Sequence, residues 1–283
     1  MERVHQIIGY EVLATLGQGA RSTIYAVKDK KNHVFALKRV IRNGPEDDRF
    51  LDQAILEHDV AKKVDHPCLR KSFKLIKHRQ LLRVSEVYVV MELVDGMTLE
   101  QYEFGDLIDF CQVMQKVAEG LGAMHQSGFV HADIKPNNIM VDEKQVVKII
   151  DFGQSCPVNT IKQRIQGTPE YIAPEQVKRK AITPETDVYN LGATMYFLLT
   201  KVHVPTIMPQ TESAVALKSE RDCKPVRELN PAVPPALASL VMNCIELSPD
   251  ARPATMTLVH QRLAMALGQL QRTGDAAGQP TVS

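Results

Sequence analysis

The hydrophobic pattern of this chain changes period once, and that change limits its fold more than any other feature. Up to Asp95 and Gly96, short β-branched and aromatic runs alternate with turn residues. Beyond them, apolar residues return at helical spacing. Residues 10–16 alternate, break at Gly17, Gln18 and Gly19, and resume over 23–27. Residues 34–40 follow a turn at 30–33, which predicts an antiparallel meander. Residues 50–64 set Leu51, Ala54, Ile55, Ala61 and Val64 at helical spacing, while 69–76 and 84–93 read as two strands joined by a basic hairpin, 77–83. After the switch, residues 107–126 carry Ile108, Cys111, Met114, Val117, Leu121 and Met124 on one face and close at Gly128. Short strands at 138–141 and 146–150 are expected around a dense polar run, then helices at 188–199, 236–246 and 255–270. A strand-rich small lobe followed by a helix-rich large lobe is an α+β, two-lobe arrangement.

The 283 residues suffice for one large domain or two compact lobes. With Lys+Arg 34 against Asp+Glu 33, composition gives no argument for a nucleic-acid or anionic-membrane partner. The cysteines, Cys68, Cys111, Cys156, Cys223 and Cys244, are scattered and form no C-x-x-C. That argues against a disulfide framework and structural zinc, and for reduced thiols in the cytoplasm. The N-terminal MERVHQIIGYEVL lacks a signal architecture, and no window approaches the roughly 18–20 apolar residues of a membrane span. Residues 188–199 suit a buried core helix better.

Gly17 and Gly19, beside Leu16, allow two readings: a hairpin turn needing positive φ, or a loop whose bare amides approach phosphate. Lys38, on the next strand but one, favours the second, because its ammonium would lie under the loop as a point charge for phosphates. Such a lysine needs an anion to hold it. Glu57, in mid-helix, is either a solvated carboxylate or that anion. The densest polar run goes from His131 to Asn138 and on to Asp151, Phe152 and Gly153. Here Asp133 can accept the proton of an attacking hydroxyl. Asn138 and Asp151 offer the hard oxygens that Mg²⁺ takes, and Lys135 can neutralise a transferring phosphoryl group. In-line phosphoryl transfer requires these parts.

In order, the chain shows LGQGARSTIYAV, FALK, a helix Glu, HADIKPNN, DFG, GTPEYIAPE, TDVYNLG and PDARP. Over residues 10–267 it resembles the eukaryotic-like (Hanks-type) serine/threonine protein kinase family, in style close to bacterial members. Lys135 in DIKPNN and Thr168 in GTPEY carry the serine/threonine assignment. The resemblance implies a two-lobed kinase-like fold: a small antiparallel β lobe with one helix, 10–94, and a large mainly helical lobe, 95–267. Residues 1–9 would be an N-terminal extension and 268–283 a disordered tail. It implies transfer of the ATP γ-phosphoryl group to a protein Ser/Thr hydroxyl, with Mg²⁺ or alternatively Mn²⁺. By the same resemblance Leu16, Gly17, Gly19 and Ile24 line the nucleotide site, with Ala36 and Met140 on the two faces of adenine. Met91 guards the back pocket, and Glu92 and Val94 hydrogen-bond adenine through their backbone. Lys38 with Glu57 positions phosphate, Asp133 orients the acceptor hydroxyl, and Asn138 and Asp151 hold the metal. Asp187 looks like a brace for the catalytic-loop backbone, and Glu175 with Arg252 like a buried structural ion pair.

The chain departs from the family pattern in places. Ser22 stands at the third glycine position of the phosphate loop, and Tyr189 where most members have Trp. Ala132 replaces the arginine that usually binds a phosphate on the activation loop, which implies activity without loop phosphorylation. Asn137 and Phe197 occupy positions where kinases preferring basic peptides carry Glu. Residues 62–83 hold eight Lys/Arg and one Asp, forming either a solvated basic face or a dock for an acidic partner. Cys156 is either inert or a redox-sensitive thiol. Two rival functions stay open. A pseudokinase scaffold would be marked by loss of Lys38, Asp133 or Asp151, and none is lost; a small-molecule kinase would not need the 167–175 segment. The expectation is a free-standing kinase with no membrane or nucleic-acid partner and an unidentified regulator.

Overall fold

The computed structural model describes residues 6–80, 82–205 and 223–277. Its small lobe is one antiparallel sheet built from β1 (Gln6–Ile7), β2 (Tyr10–Gln18), β3 (Ser22–Lys28), β4 (Val34–Ile41), β5 (Ser72–Gln80) and β6 (Arg83–Met91), in the order β1-β2-β3-β4-β6-β5. Strand β2 runs on through Gly17, where a break was expected. Register shifts between Val12 and Ala14 and between Thr15 and Gly17 add curl to it, so it stays paired with β3 as it bends. The hairpin is also tighter than expected. Gln80 pairs with Arg83, so Lys77 and Arg79 belong to the strand β5. That strand is the sheet edge, where charges are tolerated and discourage pairing with another chain.

Period-2 alternation gives the sheet two apolar faces. Ala36, Val40, Val87, Val89 and Met91 face one helix, α1 (Asp48–Lys63), while Val27, Leu37, Tyr88 and Val90 pack on the other side. Helix α1 divides its apolar contacts. Leu51 and Ala54 meet the sheet, whereas Val60 and Ala61, with Val64 just past its end, join the core of the large lobe.

The large lobe is mainly helical. It holds α2 (Leu107–Gln126), α3 (Pro174–Val177), α4 (Pro184–Thr200), α5 (Val226–Leu229), α6 (Pro235–Cys244) and α7 (Met256–Ala277). Helix α2 is capped by Asp106, whose carboxylate accepts the Asp109 amide at 2.8 Å. Helix α4 is the buried core helix that its apolar run predicts. It begins at Pro184, a turn before the apolar spacing becomes visible, because its first turn is polar and Pro suits that position. Gly192 lets α4 approach α6: a Cβ there would stand 2.5 Å from the Cys244 Cβ. Helix α7 continues to Ala277, past Leu270 and across the expected boundary at residue 268; the rest of the expected tail, 278–283, lies outside the described residues.

Three small sheets finish the lobe: β7 (Met97–Thr98) with β9 (Ile139–Val141) and β10 (Val147–Ile149), β8 (Phe129–Val130) with β11 (Cys156–Pro157), and β12 (Thr160–Ile161) with β13 (Ala181–Ile182). The fold is thus two-lobed, a small curled sheet with a helix above a large helical lobe. Among the described residues no helix is long and apolar enough to cross a membrane.

Candidate active site

The cleft between the lobes brings Lys38, Asp133 and Asp151 to one cavity. Leu16 is half exposed near the end of β2, and Gly17 beside it pairs with Ile24. Neither Gly17 nor Gly19 has a positive φ, so the turn reading does not explain them. Gly19 closes a tight turn: its amide donates to the Ser22 carbonyl at 2.7 Å, and a Cβ there would lie 2.9 Å from the Ser22 Oγ, which would have to turn aside. Arg21, in the same loop, reaches the buried Asp47 just before α1 at 2.7 Å.

Ala36 and Met91 are register partners across β4 and β6, and both are buried at the back of the cleft. Met140 on β9 lies opposite Lys148 and Thr98. The Glu92 amide donates to the Lys71 carbonyl at 2.9 Å, and its carboxylate takes Lys148 Nζ at 2.8 Å and the Lys71 amide at 3.0 Å. An adenine contact through Glu92 therefore falls to its carbonyl. Val94 follows in the connection between the lobes.

Glu57 is buried and not solvated. Lys38 Nζ donates to its Oε2 at 2.6 Å, and Arg70 pairs with its Oε1. Lys38 also lies 4.0 Å from Asp151 Oδ1. Burial pulls the Lys38 ammonium down, but the charges of Glu57 and Asp151 outweigh it and hold the pKa above its ordinary value. Arg70 came from the stretch read as a basic face. That reading fits the exposed Lys62, Lys74, Lys77 and Arg79, but Arg70 points inward.

Asp187 shapes the loop that bears Asp133. It accepts the His131 and Ala132 amides and His125 Nε2, each at 2.8 Å. Ala132 is thereby held left-handed, at φ 61°. The Asp133 amide donates to His131 Nδ1 at 3.3 Å, which leaves Nε2 to donate to the Ile150 carbonyl at 3.3 Å. Asp133 Oδ1 accepts the Thr168 amide at 3.0 Å and its hydroxyl at 2.9 Å. Lys135 Nζ donates to that hydroxyl at 2.7 Å and lies 3.3 Å from Asp133 Oδ2. Thr168, 35 residues beyond Asp133, thus joins the site. Sequence reading used it as a family marker and missed its contact; its place in GTPEY was the available signal.

Asn138 Nδ2 donates to the Asp133 carbonyl at 2.8 Å, and the Ile150 amide donates to the Asn138 carbonyl at 2.9 Å. Asn138 and Asp151 therefore flank one end of the β9–β10 hairpin. An amide oxygen and a carboxylate are a donor set that fits Mg²⁺, which keeps other positions for water and phosphate. Burial raises the Asp151 pKa, but Lys38, Arg70 and the Gly153 amide pull it below the usual carboxylate range, so the group is ionised. Phe152 is fully buried, edge-on to His131 at 5.7 Å. Ser22, Lys38, Asp133 and Asp151 line one cavity, so a lysine ammonium and two carboxylates stand side by side.

This geometry agrees with what the chain is similar to. Residues 10–264 match the protein kinase domain family. The chain belongs to that family. It is 30% identical over 254 residues to the serine/threonine-protein kinase PknL of Mycobacterium tuberculosis, covering 87% of this chain and 62% of that protein. It is 27% identical over 256 residues to the serine/threonine-protein kinase PrkC of Bacillus subtilis, covering 87% of this chain and 38% of that protein. A third kinase-domain relative, the serine/threonine-protein kinase PknB of Mycolicibacterium smegmatis, is 28% identical over 258 residues, or 87% of this chain and 41% of that protein. The chain thus spans less than two thirds of the length of these relatives.

Proposed function

We propose that this chain is a serine/threonine protein kinase that transfers the ATP γ-phosphoryl group to a protein hydroxyl. The contact of Asp133 with Thr168, bridged by Lys135, carries this reading. It fixes a carboxylate and a cation where an acceptor hydroxyl and a developing phosphoryl charge would meet. In the proposal Leu16, Gly17, Gly19, Ile24, Ala36, Met91, Glu92, Val94 and Met140 surround the nucleotide. Lys38 and Glu57 position its phosphates, and Asn138 and Asp151 hold Mg²⁺, which supplies charge neutralisation when bound. The printed names of the relatives support the substrate class, a protein serine or threonine. Five reduced thiols fit a reducing compartment, so the proposal places the chain in the cytoplasm.

The same proposal makes activity independent of activation-loop phosphorylation. At Ala132 there is no buried charge for a phosphate to neutralise. The segment is held instead by its own contacts: Lys162 Nζ donates to the Gln154 carbonyl at 2.5 Å, and Gln176 Nε2 donates to the Ala132 carbonyl at 2.8 Å.

The test is phosphotransfer from radiolabelled ATP to casein, compared between wild type and Asp133→Asn. The expected result is incorporation on serine or threonine that falls about a hundredfold or more in the variant. No transfer above the variant at any Mg²⁺ or Mn²⁺ level would favour a scaffold without catalysis. Transfer to a small metabolite and never to protein would favour a small-molecule kinase.

A further inference from the structure

Arg70 joins two parts of the molecule that the cleft otherwise separates. Its main chain belongs to the large lobe: the Ile149 amide donates to the Cys68 carbonyl at 2.7 Å, and the Arg70 amide donates to the Ile149 carbonyl at 3.0 Å. Leu69 bridges to Ile149 there, on the strand that leads into Asp151. The side chain runs the other way, to α1, where the guanidinium takes Glu57 Oε1 while Lys38 holds Oε2. Both partners are removed from water, with Glu57 1% and Arg70 8% exposed.

We propose that Arg70 is a positioning residue that latches α1 to the large lobe. It keeps Glu57, and through it Lys38, in phosphate-binding geometry with neither a regulator nor a nucleotide bound. The proposal rests on the reading of Lys38 as the phosphate-binding lysine. An outward swing of α1 would part Glu57 from both cations at once. Lys38 lines the open cavity and would regain water. Arg70 would not, and a buried cation without its anion is costly, so the penalty falls on the displaced state. The apolar contacts act in the same direction, since Val60 and Ala61 already belong to the large-lobe core. A point charge on a shorter stem would do this less well than a guanidinium, which offers several donors in a fixed fork.

The experiment uses the full chain without nucleotide and measures amide hydrogen exchange along α1, together with ATP kinetics, in wild type, Arg70→Met and Arg70→Lys. In Arg70→Met, α1 amides are expected to exchange about tenfold faster while α2 is unchanged, because only the local opening is eased. KM for ATP should rise about fivefold or more, with kcat at saturating ATP within about twofold of wild type, since nucleotide now has to select the engaged helix. Arg70→Lys should fall between the two on both readouts. A folded Arg70→Met whose α1 exchange and KM both stay within about twofold of wild type overturns the latch, because a merely structural arginine lowers the melting temperature and moves neither. If Arg70→Met does not fold, wild type decides: α1 amides as slow as those of α2 support the latch, and α1 exchanging as freely as an exposed loop overturns it. Lys38→Met separates the two readings. Retained phosphotransfer there would end the phosphate role of Lys38 and leave the exchange result standing.

Discussion

Arg252 closes on Glu175 with both terminal nitrogens, Nη1 to Oε1 at 2.8 Å and Nη2 to Oε2 at 2.9 Å, although 77 residues separate them. The pair lies in the interior, and Thr186 donates a further hydrogen bond to Glu175 Oε1 at 2.9 Å. Tyr189 supplies the floor, with the guanidinium 4.9 Å from its ring centre, so tyrosine does the packing at this departure from the family's tryptophan. Glu175→Gln leaves the guanidinium buried without its anion and is expected to cost about 3–5 kcal/mol in urea unfolding. Replacing both partners with methionine should recover part of that loss.

The activation segment yields a second prediction. Thr160 spends its hydroxyl on the Pro157 carbonyl at 2.7 Å. Thr160→Ala and Thr160→Glu should each leave kcat/KM for casein within about tenfold of wild type, whereas Lys162→Met should lower it about tenfold or more by releasing the Gln154 carbonyl. A tenfold response at Thr160 would restore loop phosphorylation as the control.

Asp187 gives the fold an acid limit. Its burial raises the carboxyl pKa, but the hydrogen bond and charge of His125 and the His131 amide together hold it below the ordinary value. A depressed folded pKa contributes stability that is present above the unfolded value, about 3.9, and is lost as pH falls through the folded value. Asp187→Asn should therefore be less stable than wild type near neutrality, by about 3–5 kcal/mol, with the gap closing as pH falls below about 4. Urea midpoints measured across that range check it; a gap that does not change with pH would show that the charge of Asp187 is not the cause.

Thiol chemistry should be quiet in the native state. Burial pushes Cys68 and Cys156 up and carries Cys111 and Cys244 to about 12, so these four stay protonated as well as covered. Cys223 is partly exposed and is expected to react first with a disulfide reagent, while the other four appear only after denaturation. Fast labelling of Cys156 in the native chain would revive the redox reading.

Much of the site was legible because its residue types are tied to short motifs. Asp133, Lys135, Asn138 and Asp151 fall within 19 positions, and the fold only has to close one hairpin to unite them. Helix α2 was visible to the residue because its face is strongly one-sided and Gly128 ends it. What stayed hidden depends on packing at long range. Arg70 sits among exposed lysines and differs from them only in that Glu57 lies behind it. Lys162 reads as a loop cation until Gln154 is seen to lie within reach. The polar first turn of α4 carries no helical period, and the last turns of α7 run through Gly274 and Asp275, which read as a frayed end.

The left-handed turn at Ala132 has a consequence for how this sequence can change. Its side chain is enclosed by Val130, Cys156 and Ile182, and the charge of Lys162 is felt at the adjacent Asp133 and at Asp187. An arginine put back at 132 would enter that apolar lining and meet a cation already present. Lys162 would have to go first, and its loss alone frees the segment it holds. On the proposed reading an arginine at 132 and the loss of Lys162 are each expected to lower activity, so phosphate-gated control would be reached only by changing both positions together.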